Sequence, residues 1–514
     1  MESILLFQGA QLLSISIILL IAYIYRHNTK SKNITATNSP DAGFPHYPMI
    51  GTLPSFLKHR HRFLDWSTDI LRRCPTHTSC FFRPGKIHGV MTAYPPNVEH
   101  MLKTNFENYP KGPRFIFLLR DFLGDGIFNV DADLWKLQRK TASYEFNTKS
   151  LRNFVMETVG FEVGARLVPL LKQAAQLDRV LDLQDVLERF AFDSICRLAF
   201  NFDPECLGDD ESVGKEFMRA FEDAATLSSR RFMTAFPFVL LVKKRLGIGS
   251  ERRLKAAIGT VHEFVNQIIE ARLRRAKTEE IGGDADLLSR FMEVHGGSVK
   301  FLRDVAISFI LAGRDTSSSA LTWFFWLISS RPEVVEKIRA ELEHIRSRRG
   351  NNGGQAGEIY SFDELREMHY LHAAITESMR LYPPVAVDTK ACLSDDVLPD
   401  GTFVGAGWFV SYSAYAMGRM ESMWGKDCEE FVPERWLDEE GVFKGESPYK
   451  FAVFHGGPRV CLGKEMAYIQ MKSVAAKVLE EFEVEVVGKE RQPEYVLSLT
   501  LRMKGGLSVR VRQG

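Results

Sequence analysis

The chain has 514 residues, a length that suits about three average domains, and its 45% hydrophobic and 25% charged content excludes disordered, collagen-like and polytopic membrane proteins. Lys and Arg number 66 against 65 Asp and Glu, and a net charge of +1 argues against nucleic acid as the main partner. The skewed count is Phe, 37 against 14 Tyr and 7 Trp, which supplies apolar aromatic surface without a hydroxyl or indole handle. In chain order, Ser3–Tyr25 comes first and holds no charged residue. As a helix it would be about 34 Å long, enough to cross a hydrocarbon core of about 30 Å. It is too long for a signal-peptide core, and Met1-Glu2 is not a basic leader. Arg26, His27, Lys30 and Lys32 follow, so the positive-inside rule leaves the rest of the chain in the cytosol. The closely spaced prolines between Pro40 and Pro48 stiffen the next stretch. This divides the chain into a membrane anchor with its basic flank (1–32), a Pro-rich neck (33–58) and a body (59–514).

The body is mostly helical. Helices are expected over Val186–Ala199, Leu254–Arg275, Ser298–Ser329 and Pro332–Arg346, the last with Pro in its first turn, where a missing N–H costs nothing. Ser361 and Glu364 form a capping box for another. Short strands are expected near Gly89–Ala93 and Leu507–Val511, and a Gly/Asn-rich loop over Arg346–Glu358. There is no internal repeat and no βαβ alternation, so the fold class is mostly α with small β-sheets.

Seven cysteines, at 74, 80, 196, 206, 392, 428 and 461, include no C-x-x-C pair, which argues against a disulfide framework or a structural zinc and for reduced thiols. Six read as small buried hydrophobes. Cys461 differs. It ends the turn Phe454-His455-Gly456-Gly457-Pro458-Arg459-Val460, and a helix, Lys464–Glu480, follows. A thiol at a helix N-terminus faces unpaired N–H groups that favour its thiolate. Gly463 leaves room for a flat partner, and Arg459 can pair with an anionic group. A thiolate, a flat partner and an anionic tail are what haem (heme b) held by Cys requires.

Phe454–Gly463 matches the haem-binding signature of the cytochrome P-450 monooxygenases, Phe-x-x-Gly-x-x-x-Cys-x-Gly, at every fixed position. The chain resembles that family along its whole length, and three more motifs occur in the right order. Ala312-Gly313-Arg314-Asp315-Thr316-Ser317 lies inside the long helix from Ser298. Gly is poor in a helix interior, and a Thr can bond back to the carbonyl four residues earlier, so a local groove is expected there. The apolar flanks on both sides predict a helix buried all round. The resemblance implies that the groove takes dioxygen, that Thr316 steadies it, and that Asp315 relays protons for O–O cleavage. In Glu377-Ser378-Met379-Arg380 the i, i+3 spacing puts both charges on one face. With Arg435 of Phe431–Trp436, the resemblance implies a buried structural triad. In Trp135-Lys136-Leu137-Gln138-Arg139 the i, i+4 spacing aligns Trp135 with Arg139, and the resemblance takes both to a haem propionate, with Lys390 near another such position.

There is no Gly-rich dinucleotide motif and no room for a fused flavin domain. The resemblance therefore implies a cytosol-facing, single-pass enzyme of the endoplasmic reticulum membrane that receives electrons from NADPH–cytochrome reductase, with Lys136, Lys140 and Lys464 suited to an acidic partner. The expected pocket walls are Phe115–Phe128, Arg231–Phe238, Ile307–Ala312, Val385–Val387 and Leu499–Thr500. They are mainly apolar, as a hydrocarbon requires. Four segments narrow the resemblance to the plant fatty-acid omega-hydroxylase branch: Tyr47–Gly51, Arg60–Trp66, Asn108–Gly112 and Gly463–Lys472. Gly456 departs from that branch, which usually has Ala, and a looser loop is expected. The implied function is hydroxylation of the terminal end of medium- and long-chain fatty acids. Relatives that oxidise jasmonoyl-isoleucine give the alternative. A reductase-independent lipid hydroperoxide isomerase or dehydratase, or a haem or lipid carrier without turnover, would not need the intact Gly313–Thr316 stretch.

Overall fold

Every residue from Asp304 to Ile310 and from Ser317 to Phe325 is buried, so the fold is built around this segment. A helix with no polar face has to be surrounded. The computed structural model describes residues 43–514 except 86, 145, 147–151, 153, 209–212, 279–286, 296–297, 351–358 and 491. The expected anchor and the first part of the neck lie outside the described residues. Among the described residues no helix is long and apolar enough to cross a membrane.

In chain order the elements that position the site are α1 (Phe63–Arg73), β1 (Thr78–Arg83), β2 (Ile87–Thr92), α2 (Gly112–Leu123) and α3 (Ala132–Ser143). Then come α4 (Leu183–Phe200), α5 (Val213–Arg230), α6 (Ser250–Thr278), the two halves of the central helix, α7 (Val299–Ile310) and α8 (Thr316–Ile328), and α9 (Pro332–Gly350). Last are α10 (His369–Leu381), β3 (Asp388–Ala391), β4 (Phe409–Tyr412) and α11 (Lys464–Glu481). The expected helices are present; those from Val186, Leu254 and Pro332 run slightly longer than expected, and the one over Ser298–Ser329 is Val299–Ile310 and Thr316–Ile328 joined by a wide turn. α4 gains its first turn because the Asp182 side chain accepts from the Gln184 and Asp185 N–H groups, and it stops at left-handed Asn201. The capping box of Ser361 and Glu364 is formed. The expected loop from Arg346 is corrected: α9 runs on to Gly350.

The expected strand near Gly89 is β2, in a four-stranded sheet of order β1-β2-β4-β3 in which only β2 and β4 run parallel. The strand near Leu507 is Ser508–Gln513, held between Val180–Asp182 and Phe482–Val486. One core packs α8 against α10 and α11, a second packs α4, α5, α6 and α7 together, and a third lies between α1 and the four-stranded sheet. Much of the phenylalanine excess serves the second core. Phe217 stacks 4.9 Å from Phe192 and 4.4 Å from Phe264, and Phe122 meets Phe221 edge-on at 5.2 Å.

α10 also carries a histidine in an apolar setting. The His372 ring lies 3.9 Å from Phe443 and 4.0 Å from Tyr468, and its Nε2 has no partner among the described residues. Burial, with Lys472 and Lys464 nearby, pushes the imidazole down to about 2. The folded ring therefore stays neutral while the unfolded one takes up a proton below about pH 6.5, so stability from this site is present above that pH and falls with acidification. His372→Phe should remove the loss. Between pH 7.5 and pH 5 its unfolding free energy should improve relative to wild type by up to about 2 kcal/mol, as measured by denaturant titration at both pH values.

Candidate functional site

The cysteine loop has little regular structure, so its shape rests on single contacts. Two short 3-10 turns, Ala452–Phe454 and Gly457–Arg459, lead to Cys461, whose N–H donates to the Phe454 carbonyl at 2.8 Å and closes the loop. Gly457 has φ +61°, and a Cβ there would stand 1.9 Å from the Leu102 carbonyl oxygen, so no other residue fits. At Gly456 the Tyr449 ring lies 2.7 Å from where a Cβ would be.

Cys461 Sγ faces a cavity of about 330 Å³ between this loop and the central helix, and it is the only cysteine lining it among the described residues. Burial pushes the thiol up, against the Gly463 N–H, Arg139 and Lys464, which favour the thiolate. The helix terminus alone therefore does not ionise Cys461, whereas a metal cation bound to sulfur would. The cavity brings together Trp135, Arg139, Thr316, Phe454, Arg459, Cys461 and Gly463 from three separate parts of the sequence. A Cβ at Gly463 would lie 4.0 Å from the Cys461 sulfur, so Gly keeps the approach to it low.

Arg459 is held at one edge. Its Nη2 donates to Asp131 Oδ1 at 2.7 Å and to the Val130 carbonyl at 3.1 Å, and the guanidinium lies 4.3 Å over the Trp135 ring. Its buried Nε has no partner among the described residues. A cysteine sulfur, a low glycine beside it, and the cations Arg139 and Arg459 on the same cavity fit haem with its propionates. Lys390 does not join them. It is buried behind Asp388, 2.9 Å from Oδ2 and 3.1 Å from His455 Nε2, and burial lowers it to about 7. Lys111 lines the cavity instead, with Nζ 2.6 Å from Asp388 Oδ1. The alternation in Asp388-Thr389-Lys390 was the available signal, since residues two apart on a strand share a face.

The groove in the central helix is present. Leu311–Asp315 form one wide, π-type turn, and Thr316 Oγ1 donates to the Ala312 carbonyl at 2.6 Å. Thr316 lines the cavity, and Gly313 lets Ile195 of α4 approach to 2.7 Å from where a Cβ would be. Asp315 is placed differently from Thr316. It lines neither cavity described here, because the wide turn carries it round toward α4, where Oδ1 accepts from Arg314 at 2.8 Å. Arg314 also binds Glu188 at 3.0 Å, and Arg502 joins Glu188 to half-exposed Glu222. Burial raises the Asp315 carboxyl.

The triad is formed. Arg380 grips Glu377 with two bonds of 2.7 Å, and Arg435 Nε reaches it at 3.2 Å. Two donors escaped sequence reasoning, the Val432 N–H and the Trp436 indole, both at 2.9 Å. Arg380 then donates to the Glu430 and Cys428 carbonyls, which ties α10 to the chain leading into the cysteine loop.

A second cavity of about 470 Å³ shares Lys111, Phe128, Ala312, Thr316, Val385 and Asp388 with the first. The expected walls are partly right. Phe115, Phe128, Phe232, Leu311, Val387 and Leu499 line it. Phe122 belongs to the core, Arg231 pairs with Glu251, and Phe117, Phe236 and Phe238 are exposed on the outside. Sequence reasoning missed one whole side, where Phe44 and Phe56 meet Phe81, Arg83 and Phe409 of the sheet.

The cytochrome P-450 family model matches residues 42–508. Cytochrome P-450 CYP94D108 of Paris polyphylla is 53% identical over 475 residues, 92% of each chain. Cytochrome P-450 94A1 of Vicia sativa is 44% identical over 91% of this chain and 90% of its own. Cytochrome P-450 94B1 of Arabidopsis thaliana is 45% identical over 96% of both.

Removing one partner from a buried ionic group leaves the others uncompensated. Glu377→Ala should cost about 3–5 kcal/mol of stability, read by thermal or denaturant unfolding, and the purified protein should retain little haem by absorbance.

Proposed function

The chain belongs to the cytochrome P-450 family and is a monooxygenase that binds haem b through a cysteine thiolate, uses dioxygen and draws electrons from a reductase partner; from this we propose that it hydroxylates the terminal end of medium- and long-chain fatty acids. The observation that carries the reading is the second cavity. Its walls are overwhelmingly apolar, and it meets the Cys461 cavity at Ala312 and Thr316. Such a cavity suits a hydrocarbon with few polar groups.

In this reading Cys461 is the iron ligand, and Arg139, Arg459 and Trp135 hold the propionate edge. Bound haem supplies the activation of dioxygen. Thr316, its hydroxyl committed to the Ala312 carbonyl, keeps the groove open beside that position and steadies a hydroxyl-sized group there. Asp315 serves the groove from behind, held by Arg314. The terminal C–H bonds of a fatty acid are its strongest, so the pocket selects by access, admitting only the tail end. The electron donor is NADPH–cytochrome reductase, and exposed Lys136 and Lys140 of α3 and exposed Lys464 at the start of α11 suit an acidic partner. Ser3–Tyr25 anchors the enzyme to the endoplasmic reticulum membrane, with the body in the cytosol.

The test is turnover in microsomes with reductase and NADPH, given fatty acids of several lengths beside jasmonoyl-isoleucine. Terminally hydroxylated fatty acids are expected, and oxidation of the conjugate alone would replace this reading with the alternative. Reduced, carbon monoxide-treated protein should show the strongly red-shifted Soret band of thiolate ligation, and Cys461→Ala should lose it.

A further inference from the structure

Four arginines are deeply buried among the described residues, and three of them hold a carboxylate. Arg231 pairs with Glu251, Arg314 with Glu188 and Asp315, and Arg380 with Glu377. The fourth, Arg83, is 5% exposed and has no carboxylate within ion-pair distance among the described residues. Its Nη1 has no hydrogen-bond partner there, and its guanidinium rests 4.1 Å over the Phe56 ring. Burial and the like charge of Arg114 push it down only to about 10, so it stays protonated at neutral pH. Arg114, partly buried, is also without a carboxylate and lies 5.4 Å over Phe409.

Both arginines line the second cavity, and neither lines the Cys461 cavity. They stand where β1 ends and α2 begins, beside the Thr52 turn, and neither is among the residues that the two cavities share, which include Ala312 and Thr316 of the central helix. The remaining cation of the second cavity, Lys111, is neutralised by Asp388. The position of Arg83 is built in. The preceding carbonyl, of Phe82, accepts from both the Thr52 N–H at 2.7 Å and its hydroxyl at 2.9 Å. An unpaired charge in an apolar enclosure is costly to the folded protein, and an anionic ligand removes that cost.

We propose that Arg83, with Arg114 beside it, is the receptor for the substrate's carboxylate. A guanidinium grips a carboxylate through two parallel bonds and fixes its orientation. With the head held there, the apolar body runs along the phenylalanine walls, and the opposite end of the chain enters at Thr316. The pair thereby explains terminal selectivity and sets a minimum chain length. The acyl character of the ligand rests on the fatty-acid reading above. The anchor itself requires only a carboxylate on a long apolar body, which a fatty acid and an acyl-amino acid conjugate both supply.

Binding is read as the Soret shift of the haem-loaded protein titrated without reductase. Four ligands are used: a saturated fatty acid, its methyl ester, jasmonoyl-isoleucine and its methyl ester. Wild type should bind acid more tightly than ester. Arg83→Met should weaken acid binding by about 10- to 100-fold and leave ester binding unchanged, with a smaller loss for Arg114→Met. The ligand-free Arg83→Met protein should unfold at the same or a higher temperature, since it loses an unpaired buried charge. Equal binding of acid and ester by wild type, an equal loss for both in the variant, or a lowered unfolding temperature would overturn the proposal. Should Arg83→Met not fold, it is likewise overturned, while Arg114→Met and the wild-type pairs still measure the acid preference. If wild type prefers acid over ester only for the conjugate, the anchor stands and the fatty-acid function falls. Terminal hydroxylation of fatty acids without any acid preference gives the reverse.

Discussion

The burial of the central helix constrains everything else in the molecule. Every residue from Asp304 to Ile310 and from Ser317 to Phe325 is buried, as α4, α5, α6, α10 and α11 close around the helix. A regular helix packed on every side leaves no room for chemistry. The wide turn at Leu311–Asp315 makes that room. The Thr316 hydroxyl occupies the Ala312 carbonyl, Gly313 admits Ile195, and the backbone between them bulges away from helical geometry. Wide turns of this kind occur mostly inside α-helices at functional sites, because they expose backbone that a helix would otherwise consume. Both cavities open on this turn, so one local irregularity serves the cofactor position and the substrate position together.

Opposite the turn, the cysteine loop faces the reverse problem. It has almost no regular structure, yet its sulfur has to be held in a fixed place. The Glu377 carboxylate supplies the fixed point. It accepts from Arg380, Arg435, Val432 and Trp436, all within the interior. Such a cluster adds little net stability, because desolvating its charges costs about as much as their attraction returns. Its use is positional. Arg380 lies one turn along the same helix, whereas Val432, Arg435 and Trp436 come from one short segment beyond it, so the carboxylate fixes that segment to α10. The loop inherits its geometry from α10, which packs directly on α8.

How far the sequence anticipated this depended on whether a feature was local. The capping box at Ser361, the Thr316 back-bond and the Glu377–Arg380 spacing need only a few neighbouring residues, and each is present. The pairing of Asp315 with Arg314 was not legible. The choice between facing the cavity and facing α4 turns on the wide turn, which rotates the helix register by a fraction of a residue, and on Glu188 more than a hundred residues upstream. Lys390 was misplaced for a similar reason. The strand pattern puts it on the same face as Asp388, but only the fold shows that Lys111 takes the cavity side of that carboxylate. The sheet wall of the substrate cavity was invisible because β1 joins β4 through β2, and no short window of sequence contains that pairing.

Charge is distributed through this interior by one rule, and the exceptions are informative. Arg231, Arg314 and Arg380 have carboxylates, and Lys111 and Lys390 share Asp388. The physical reason is that an unpaired ion loses its hydration on burial and gains nothing in return. Arg83 and Arg114 have no carboxylate among the described residues, and Arg459, although paired with Asp131, keeps an unpartnered Nε. The other deeply buried arginines each hold a carboxylate, even where one nitrogen, such as the Arg314 Nε, has no partner among the described residues. Arg459 lines the Cys461 cavity, and Arg83 with Arg114 lines the second. Each marks a place where the missing anion is carried by something other than the chain: the propionate edge of the cofactor at one, and the head of a carboxylic acid at the other. Between them lies an apolar path that ends at Thr316, so the placement of charge alone orients both ligands before any contact with the hydrocarbon is counted.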